Sequence, residues 1–364
     1  MSERGFALVT VVLFVIGLAV LATGLAFAAA QEAAVVRTTH DLIRARHAAQ
    51  AAVEAALSSW SAVLRAADPL HVDVPLMAPA ELEAGVRMSA TSRRVARDGF
   101  LVSGIGTAGS GTVTPVRQRA VRLARSLAVD SIGAALDAAL LAGAAHLGAG
   151  AVVDAARARV PSGDGVADEL CARWPSGGAG VRAPLDSVAL AAGAVVRGAP
   201  AVVHEDDAGR FRTGFGFLDA GALRAAARRV EAAALTPAPV ESGLACDTAA
   251  SGNWGGTAGP CASYRPLLHA AGALVLSGGY GQGILLADGD LVLERGFAFR
   301  GIILASGSVT VRDATVEGAL VAARVAVERG ELRLDRCAVA AALAAPDVLR
   351  RPWIPARSWL PAFD

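Results

Sequence analysis

The sequence has 364 residues, enough for one large or two modest domains beyond a membrane segment. Its net charge is +1 at pH 7, which gives no electrostatic case for binding nucleic acid. Hydrophobic residues make up 54% of the chain, and their Ala/Val/Leu/Gly-rich distribution suits a buried parallel sheet better than several membrane spans.

The first predicted element is a long helix. Residues 6–30 contain no charged side chain and no proline, and a helix of that length reaches about 37 Å, enough to cross a hydrocarbon core of about 30 Å. Through residues 31–67 apolar positions recur three, four and seven apart between charged ones. Asp68-Pro69 ends the pattern. We predict one helix with a membrane-spanning half, 6–30, and an amphipathic half, 31–67.

Two other interpretations of this segment stay open. Ala28-Ala29-Ala30 before Gln31 offers small residues for cleavage of a secretory signal peptide, although the apolar run exceeds the roughly 7–15 residues usual there. The segment also fits a plain membrane anchor.

A small antiparallel meander is predicted over residues 70–130. Segments 85–91, 100–106 and 120–129 alternate in polarity, and Asp98-Gly99 and the glycines near residue 110 supply turns. Four arginines lie in or just before the last segment: Arg117, Arg119, Arg122 and Arg125. A solvated basic sheet face explains them better than an anion-binding patch.

An internal repeat occupies the last third. Segment 283–293 is echoed by 301–311 and by a decayed copy at 318–327, a period of about 17 or 18 residues. This period predicts a right-handed parallel β-solenoid over 131–345, interrupted by an inserted helix at 217–235. The Pro/Trp-rich tail, 346–364, is predicted to lie across the fold as a cap or to dock a partner. The predicted fold class is α+β, mostly β.

The chain has four cysteines, and an oxidising compartment outside the membrane, where disulfides form, agrees with the orientation of the predicted anchor. Cys246 and Cys261 bracket a loop of about 15 residues, and a disulfide closing it would contribute about 3 kcal/mol. Whether Cys171 and Cys337 pair is open, and buried free thiols remain the alternative. The chain has no C-x-x-C pair and no histidine near these cysteines in sequence, so zinc binding is not expected.

The sequence contains no persuasive catalytic grouping. Its scattered histidines are expected to be solvent-exposed: His40, His47, His71, His146, His204 and His269. Asp288-Gly289-Asp290 resembles part of a calcium loop, but solenoid corners use the same residues. We therefore predict no enzyme, no cofactor and no metal site.

The segment Arg4-Gly5-Phe6-Ala7-Leu8-Val9-Thr10 resembles the processing site of type IV prepilins. The resemblance implies a leader of residues 1–5, cleavage after Gly5 by a prepilin peptidase, and N-methylation of Phe6. Thr10 stands where most members carry glutamate. Glutamate-free members include minor pilins of the PilX type, which this chain resembles more than it does tip pseudopilins.

The resemblance implies a minor pilin-like subunit of a type IV pilus or related type II secretion-like machine, acting in assembly or at the tip. Its partners would be the inner membrane, the prepilin peptidase and other pilins, with no nucleic acid. The head would lie on the periplasmic side, or on the pilus or cell surface after assembly. The alternative is a membrane-tethered bactofilin-like or adhesin-like solenoid. A polysaccharide-acting enzyme ranks third because aromatic residues make up only 5% of the chain.

Overall fold

The computed structural model describes residues 3–60, 68–96, 99–109, 114–125, 136–156, 167–168, 171–172, 174, 176–205, 220–346, 349, 352, 354–355 and 358–360. Within these, side chains are described from residue 10 onward, except at 220 and 222. The chain divides into two compact units. The first combines Met1–Ser59, Pro69–Arg125 and Ile354–Asp364, and the second combines Trp60–Asp68 and Ser126–Trp353.

Three helices and nineteen strands have described bounds, and residues 167–168, 171–172 and 349 are also helical. The helices are α1 (Glu3–Ser58), α2 (Ala220–Ala226) and α3 (Arg336–Ala344). The strands are β1 (Asp73–Glu83), β2 (Val86–Arg94), β3 (Gly99–Ala108), β4 (Val116–Arg125), β5 (Ala138–Asp154), β6 (Ala179–Ala183), β7 (Val188–Leu190), β8 (Val195–Arg197), β9 (Val202–His204), β10 (Arg228–Arg229), β11 (Ala234–Leu235), β12 (Glu241–Ser242), β13 (Ala245–Cys246), β14 (Leu267–Ala270), β15 (Leu274–Ser277), β16 (Tyr280–Ala287), β17 (Leu291–Glu294), β18 (Ala298–Arg333) and β19 (Trp359–Leu360).

Helix α1 is shorter at its carboxyl end than the sequence pattern indicated. It stops at Ser58 rather than continuing to residue 67, and residues 61–67 lie outside the described part. The hydroxyls of Ser58 and Ser59 bond the Ala55 carbonyl oxygen, and such local side-chain bonds compete with continued helix. Trp60, the next residue, is buried and belongs to the second unit.

The first unit packs α1 on a five-stranded antiparallel sheet with strand order β1-β2-β3-β4-β19. Strands β2, β3 and β4 pair along their whole lengths. The carboxyl-terminal tail, predicted as a cap or docking segment, instead supplies the edge strand β19. Its Trp359 and Leu360 pair with Arg122 and Val121.

The second unit is built on a parallel sheet whose successive ladders match the sequence repeat. Leu267 pairs with Ile284, and Ile284 pairs with Ile302, so the partners lie 17 and 18 residues apart. Strand β18 then pairs with β5, with Leu320 opposite Leu140. The described strands form no closed sheet. The repeat thus predicted parallel pairing and its spacing.

Opposite charges mark the register of these ladders. Arg333 lies opposite Asp154, and Asp154 lies opposite Arg197. Arg333 also pairs with Glu317, at 3.4 Å, and Arg197 with Asp154, at 3.7 Å. Cross-strand pairs of opposite charge favour this alignment over shifted ones.

Apolar residues cover both faces of the strands around β16. Alternate residues such as Leu285 and Ile303 belong to one buried cluster, while Ile284 and Ile302 belong to another that includes α3. All nine residues of α3 are buried, and the Asp335 carboxylate caps it by accepting from the backbone N–H groups of Cys337 and Ala338. After Arg336, α3 is apolar on all sides, which fits such an enclosed position.

The inserted helix predicted over 217–235 was wrong after Ala226. Residues 217–219 lie outside the described part, and α2 covers Ala220–Ala226 only. Strand β10 then pairs with β14, and β11 pairs with β15, both in parallel. The backbone of residues 228–229 and 234–235 therefore bonds to edge strands of the parallel sheet instead of continuing the helix. Helical periodicity in the sequence does not reveal this pairing.

Candidate functional site

The amino-terminal half of α1 carries an apolar surface that no other described element covers. Every residue from Thr10 to His40 is exposed, with Phe14 at 67% and Leu25 at 71%. The first charged residue after Thr10 is Glu32. Among the described residues, α1 is the one helix long and apolar enough to cross a membrane. A large exposed apolar surface of this kind is typical of segments that contact a membrane or another protein.

The predicted processing residues lie at the start of this helix. Gly5 and Phe6 are within α1, and their side chains are outside those described. Thr10 is on the exposed surface of the helix. The predicted site is thus continuous with the apolar surface along a single helix.

The carboxyl half of α1 packs on the antiparallel sheet through small side chains. Six buried residues form the contact face: Ala45, Ala48, Ala49, Ala52, Val53 and Ala56. Opposite them, a Cβ atom added at Gly104 would overlap the Ala49 carbonyl oxygen, and one added at Gly106 would overlap the Ala45 carbonyl oxygen. Alanines on the helix and glycines on β3 therefore bring the two backbones into close approach.

Polar contacts fix the same helix to the sheet at both ends of the contact. Arg44 Nε donates to Glu83 Oε1 at 2.9 Å, and its Nη2 donates to the Ala84 carbonyl oxygen at 3.1 Å. Further along, Arg122 of β4 is bonded to Glu54 of α1. The antiparallel sheet of the first unit, called the head below, is thus held to the carboxyl half of α1. The amino-terminal half of α1 extends beyond this sheet.

Arg122 also holds the tail strand β19. Its Nε donates to Ser358 Oγ at 3.0 Å, and its guanidinium lies 5.0 Å from the centre of the Trp359 ring. Arg119 donates to Ser103 Oγ at 3.0 Å, although it is exposed, as are Arg117 and Arg125. Exposed arginines of β4 can therefore also make structural contacts.

The structure contains two disulfides, Cys246–Cys261 and Cys171–Cys337. The sequence had suggested the first pair and left the second open. The Asp168 carboxylate lies near the second bond, but its two sulfurs are joined and are not thiolate ligands. This cluster therefore gives no metal site in the oxidised protein.

The loop closed by the Cys246–Cys261 disulfide is fixed by buried side chains. Trp254 is fully buried in the core of the second unit. Asn253 Nδ2 donates to the carbonyl oxygens of Val240 and Asp247, at 3.0 and 2.6 Å. Gln282 Nε2 reaches the Tyr264 carbonyl oxygen at 2.8 Å. Side-chain amides replace regular backbone pairing here, a role that the sequence did not reveal.

His269 was expected to be exposed, but it is buried at 9% exposure. Its Nε2 lies 2.8 Å from Asp288 Oδ2, and Arg224 of α2 donates to Asp288 Oδ1 at 2.8 and 2.9 Å. Burial works to raise the pKa of Asp288, but these hydrogen bonds outweigh it and leave the pKa below its usual value. Asp290 accepts from Ser308. Both aspartates of the predicted calcium-like turn therefore make contacts within the protein.

Comparisons of this chain with protein-family models, with curated proteins and with solved structures find no match.

Proposed function

We propose that this chain is a membrane-anchored, pilin-like subunit that enters a pilus or a related secretion machine. The observation that carries the proposal is the division of α1. One half is an uncovered apolar surface from Thr10 onward, and the other packs through alanines on an antiparallel head. A helix divided in this way suits a subunit that first spans a bilayer and then exchanges lipid for neighbouring helices.

In this proposal, cleavage after Gly5 leaves Phe6 as the new amino terminus, which is then methylated. Thr10 lacks the carboxylate that could neutralise a neighbouring terminal amine inside an apolar bundle, where an unpaired charge is costly. A subunit without that carboxylate fits few copies better than a repeating shaft position. We place it among the minor subunits, in assembly or at the tip.

The exposed apolar surface of α1 extends beyond the proposed membrane span. Val35, Val36, Leu42 and Ile43 are each at least 42% exposed and lie carboxyl-terminal to Glu32. Lipid need not reach these residues in the precursor, since a hydrocarbon core takes about 20 helical residues. Contacts with other subunits would cover them in the assembled state.

We further propose that the parallel body is a right-handed β-solenoid displayed outside the inner membrane. The 17- and 18-residue spacing of paired residues supports one turn per repeat, and parallel strands joined through short crossovers are almost always right-handed. The alternative function, a membrane-tethered solenoid that enters no pilus, has the same parallel body. It differs only in that α1 stays in the membrane.

Two glycine variants test the processing step. The full chain is expressed with a prepilin peptidase, and its amino-terminal peptides are identified by mass spectrometry. Gly5→Val is expected to leave the chain uncut, while the wild type begins at N-methyl-Phe6. Gly17→Val is the matched control, because no atom lies within 4 Å of a Cβ added there. The proposal fails if Gly5→Val and the wild type have the same amino terminus.

A further inference from the structure

The parallel sheet of the second unit has an outer face with a depression of about 320 Å³. Two alanines, Ala144 and Ala326, are part of its lining. Its polar side chains are those of Arg324, His146, Ser308 and Thr310. This volume lies at the lower end of the range of small-molecule sites, roughly 300–1,000 Å³.

Strand register brings the polar groups together. Arg324 of β18 lies opposite Ala144 of β5, and Ala326 lies opposite His146. Because side chains alternate along a strand, Arg324 and His146 stand on the same face as diagonal neighbours. Val325, the next residue after Arg324 on β18, points to the opposite face and is buried at 3% exposure. The sheet face that carries Arg324 is therefore the outer one. The small side chains of Ala144 and Ala326 leave the space beside the guanidinium and the imidazole.

Arg324 is exposed and forms no hydrogen bond or salt bridge with the described part of the chain, although the Ser308 hydrogen bonds and the positive charge of Arg324 together lower the pKa of Asp290. Arginines on neighbouring ladders differ: Arg312 Nε lies 3.0 Å from Glu328 Oε1, and Arg300 Nη2 lies 3.2 Å from Asp335 Oδ2. Thr310 and His146 are likewise without a polar partner among the described residues. Arg324, Thr310 and His146 thus line one depression without a hydrogen bond to any described residue.

Ser308 adds an acceptor to the same site. Its Oγ and its backbone N–H both donate to Asp290 Oδ1, at 2.5 and 2.9 Å. Because the hydroxyl proton is donated to that carboxylate, the Ser308 oxygen is left with its lone pairs to accept a further hydrogen bond. A ligand hydroxyl can donate to such an oxygen.

A second depression, of about 330 Å³, lacks these free groups. Its two arginines are already engaged: Arg182 pairs with Asp137 at 2.5 Å, and Arg336 donates to the Gly177 carbonyl oxygen at 2.8 Å. The contrast singles out the depression beside Arg324.

We propose that the depression lined by Arg324, His146, Ser308 and Thr310 binds a sugar acid, a hexuronate unit. The Arg324 guanidinium pairs with the ligand carboxylate in a bidentate manner. Thr310, Ser308 and His146 bond the adjacent hydroxyl groups. A single guanidinium whose charge already acts on Asp290, the carboxylate bonded to Ser308, favours a monoanion over a phosphate dianion. This proposal does not depend on the membrane role of α1.

The test titrates the full chain in detergent micelles at low salt with glucuronate, glucose and acetate, using calorimetry. Glucuronate is expected to bind saturably, and glucose, which lacks the carboxylate, is expected not to bind. Arg324→Gln should weaken glucuronate binding at least about tenfold, because it removes the charged donor that pairs with the ligand carboxylate. Arg312→Gln, on the same face but paired with Glu328, is the control and should bind as the wild type does.

A steric variant provides a second, independent readout. Ala144→Leu fills the depression without changing any charge and should abolish glucuronate binding. Hydrogen exchange of the β5 and β18 amides checks that each variant keeps the parallel sheet. The proposal is overturned if glucuronate does not saturate the wild type, if either Arg324→Gln or Ala144→Leu binds it unchanged, or if acetate binds as tightly as glucuronate.

Discussion

Gly104 and Gly106 set the distance between α1 and the antiparallel sheet. The backbone oxygens of Ala49 and Ala45 occupy the space that a side chain at these glycines would need. Backbone atoms in a helix cannot rotate away as the end of a long side chain can. These two positions should therefore be among the least tolerant in the head.

We expect Gly106→Ala to destabilise the head by about 1–3 kcal/mol, because the added methyl group forces the helix away from β3. Hydrogen exchange of the β2 and β3 amides in the full chain measures this loss. Gly272→Ala is the control, since no atom lies within 4 Å of its added Cβ. Unchanged β3 protection in Gly106→Ala would contradict the close packing.

The stability of the second unit should depend on the ionisation of Asp288. Its folded pKa lies below the ordinary 3.8 because His269 and Arg224 bond the carboxylate more strongly than burial opposes the charge. A lowered carboxyl pKa stabilises the folded state above the unfolded pKa, and this contribution is lost as pH falls through the folded value. Stability of the second unit should therefore fall below about pH 3.8.

Asp288→Asn should remove that part of the acid dependence. Its free energy of unfolding should be lower than that of the wild type at pH 6, and the difference should shrink between pH 4 and pH 2. Urea unfolding monitored by tryptophan fluorescence over this range measures both. A difference that stays constant down to pH 2 would show that the Asp288 charge contributes nothing.

At the scale of elements, the hairpin β12–β13 depends on a disulfide rather than on its own pairing. Its two strands have two residues each, and Leu244 at the turn is 97% exposed. A two-stranded hairpin of this size is marginal in water without further support. Cys246 closes the segment on Cys261, and Asn253 bonds the carbonyl oxygens around it.

Replacing both Cys246 and Cys261 by serine should cost about 3 kcal/mol, the chain-entropy value for a loop of about 15 residues. Local loss of protection in residues 240–264, measured by hydrogen exchange, is the expected signature. Retained protection in the double variant would mean that Asn253 and Gln282 order the loop by themselves.

Some elements could be predicted from local patterns and others could not. The uncharged, proline-free run predicted α1, and glycine-led repeats predicted the parallel ladders of β16 and β18. Helix α3 gave no such signal, because its alanine-rich sequence is buried on all sides and shows no polar face. The end of the predicted inserted helix was missed because sheet edges bond β10 and β11.

At the scale of the whole molecule, the chain leaves the first unit after Arg125 and returns to it only at Ile354. Strand β19 completes a sheet whose other strands lie more than 230 residues earlier in the chain. Local patterns carry no information on such a return, because pairing across a long insertion depends on the folded positions of both segments. The tail was for this reason mistaken for a cap.

The uncovered half of α1 is the feature on which the account of the whole molecule depends. We propose that this helix is first inserted in the bilayer, is then cleaved after Gly5, and finally packs among other apolar helices. The two competing accounts predict different ends of the chain. A plain anchor keeps residues 1–5, and a signal peptide is removed near Gln31.

Mass spectrometry of tryptic peptides distinguishes these three accounts of α1. The peptides are prepared from two fractions of cells that make the native chain: sheared cell-surface material and membranes. Trypsin cuts after Arg4 and Arg37, so an unprocessed chain yields a peptide that begins at Gly5. We predict a peptide from N-methyl-Phe6 to Arg37 in both fractions. A peptide beginning at Gly5 in membranes alone, or one beginning at Gln31 in a soluble fraction, would contradict the proposed passage of α1 from bilayer to bundle.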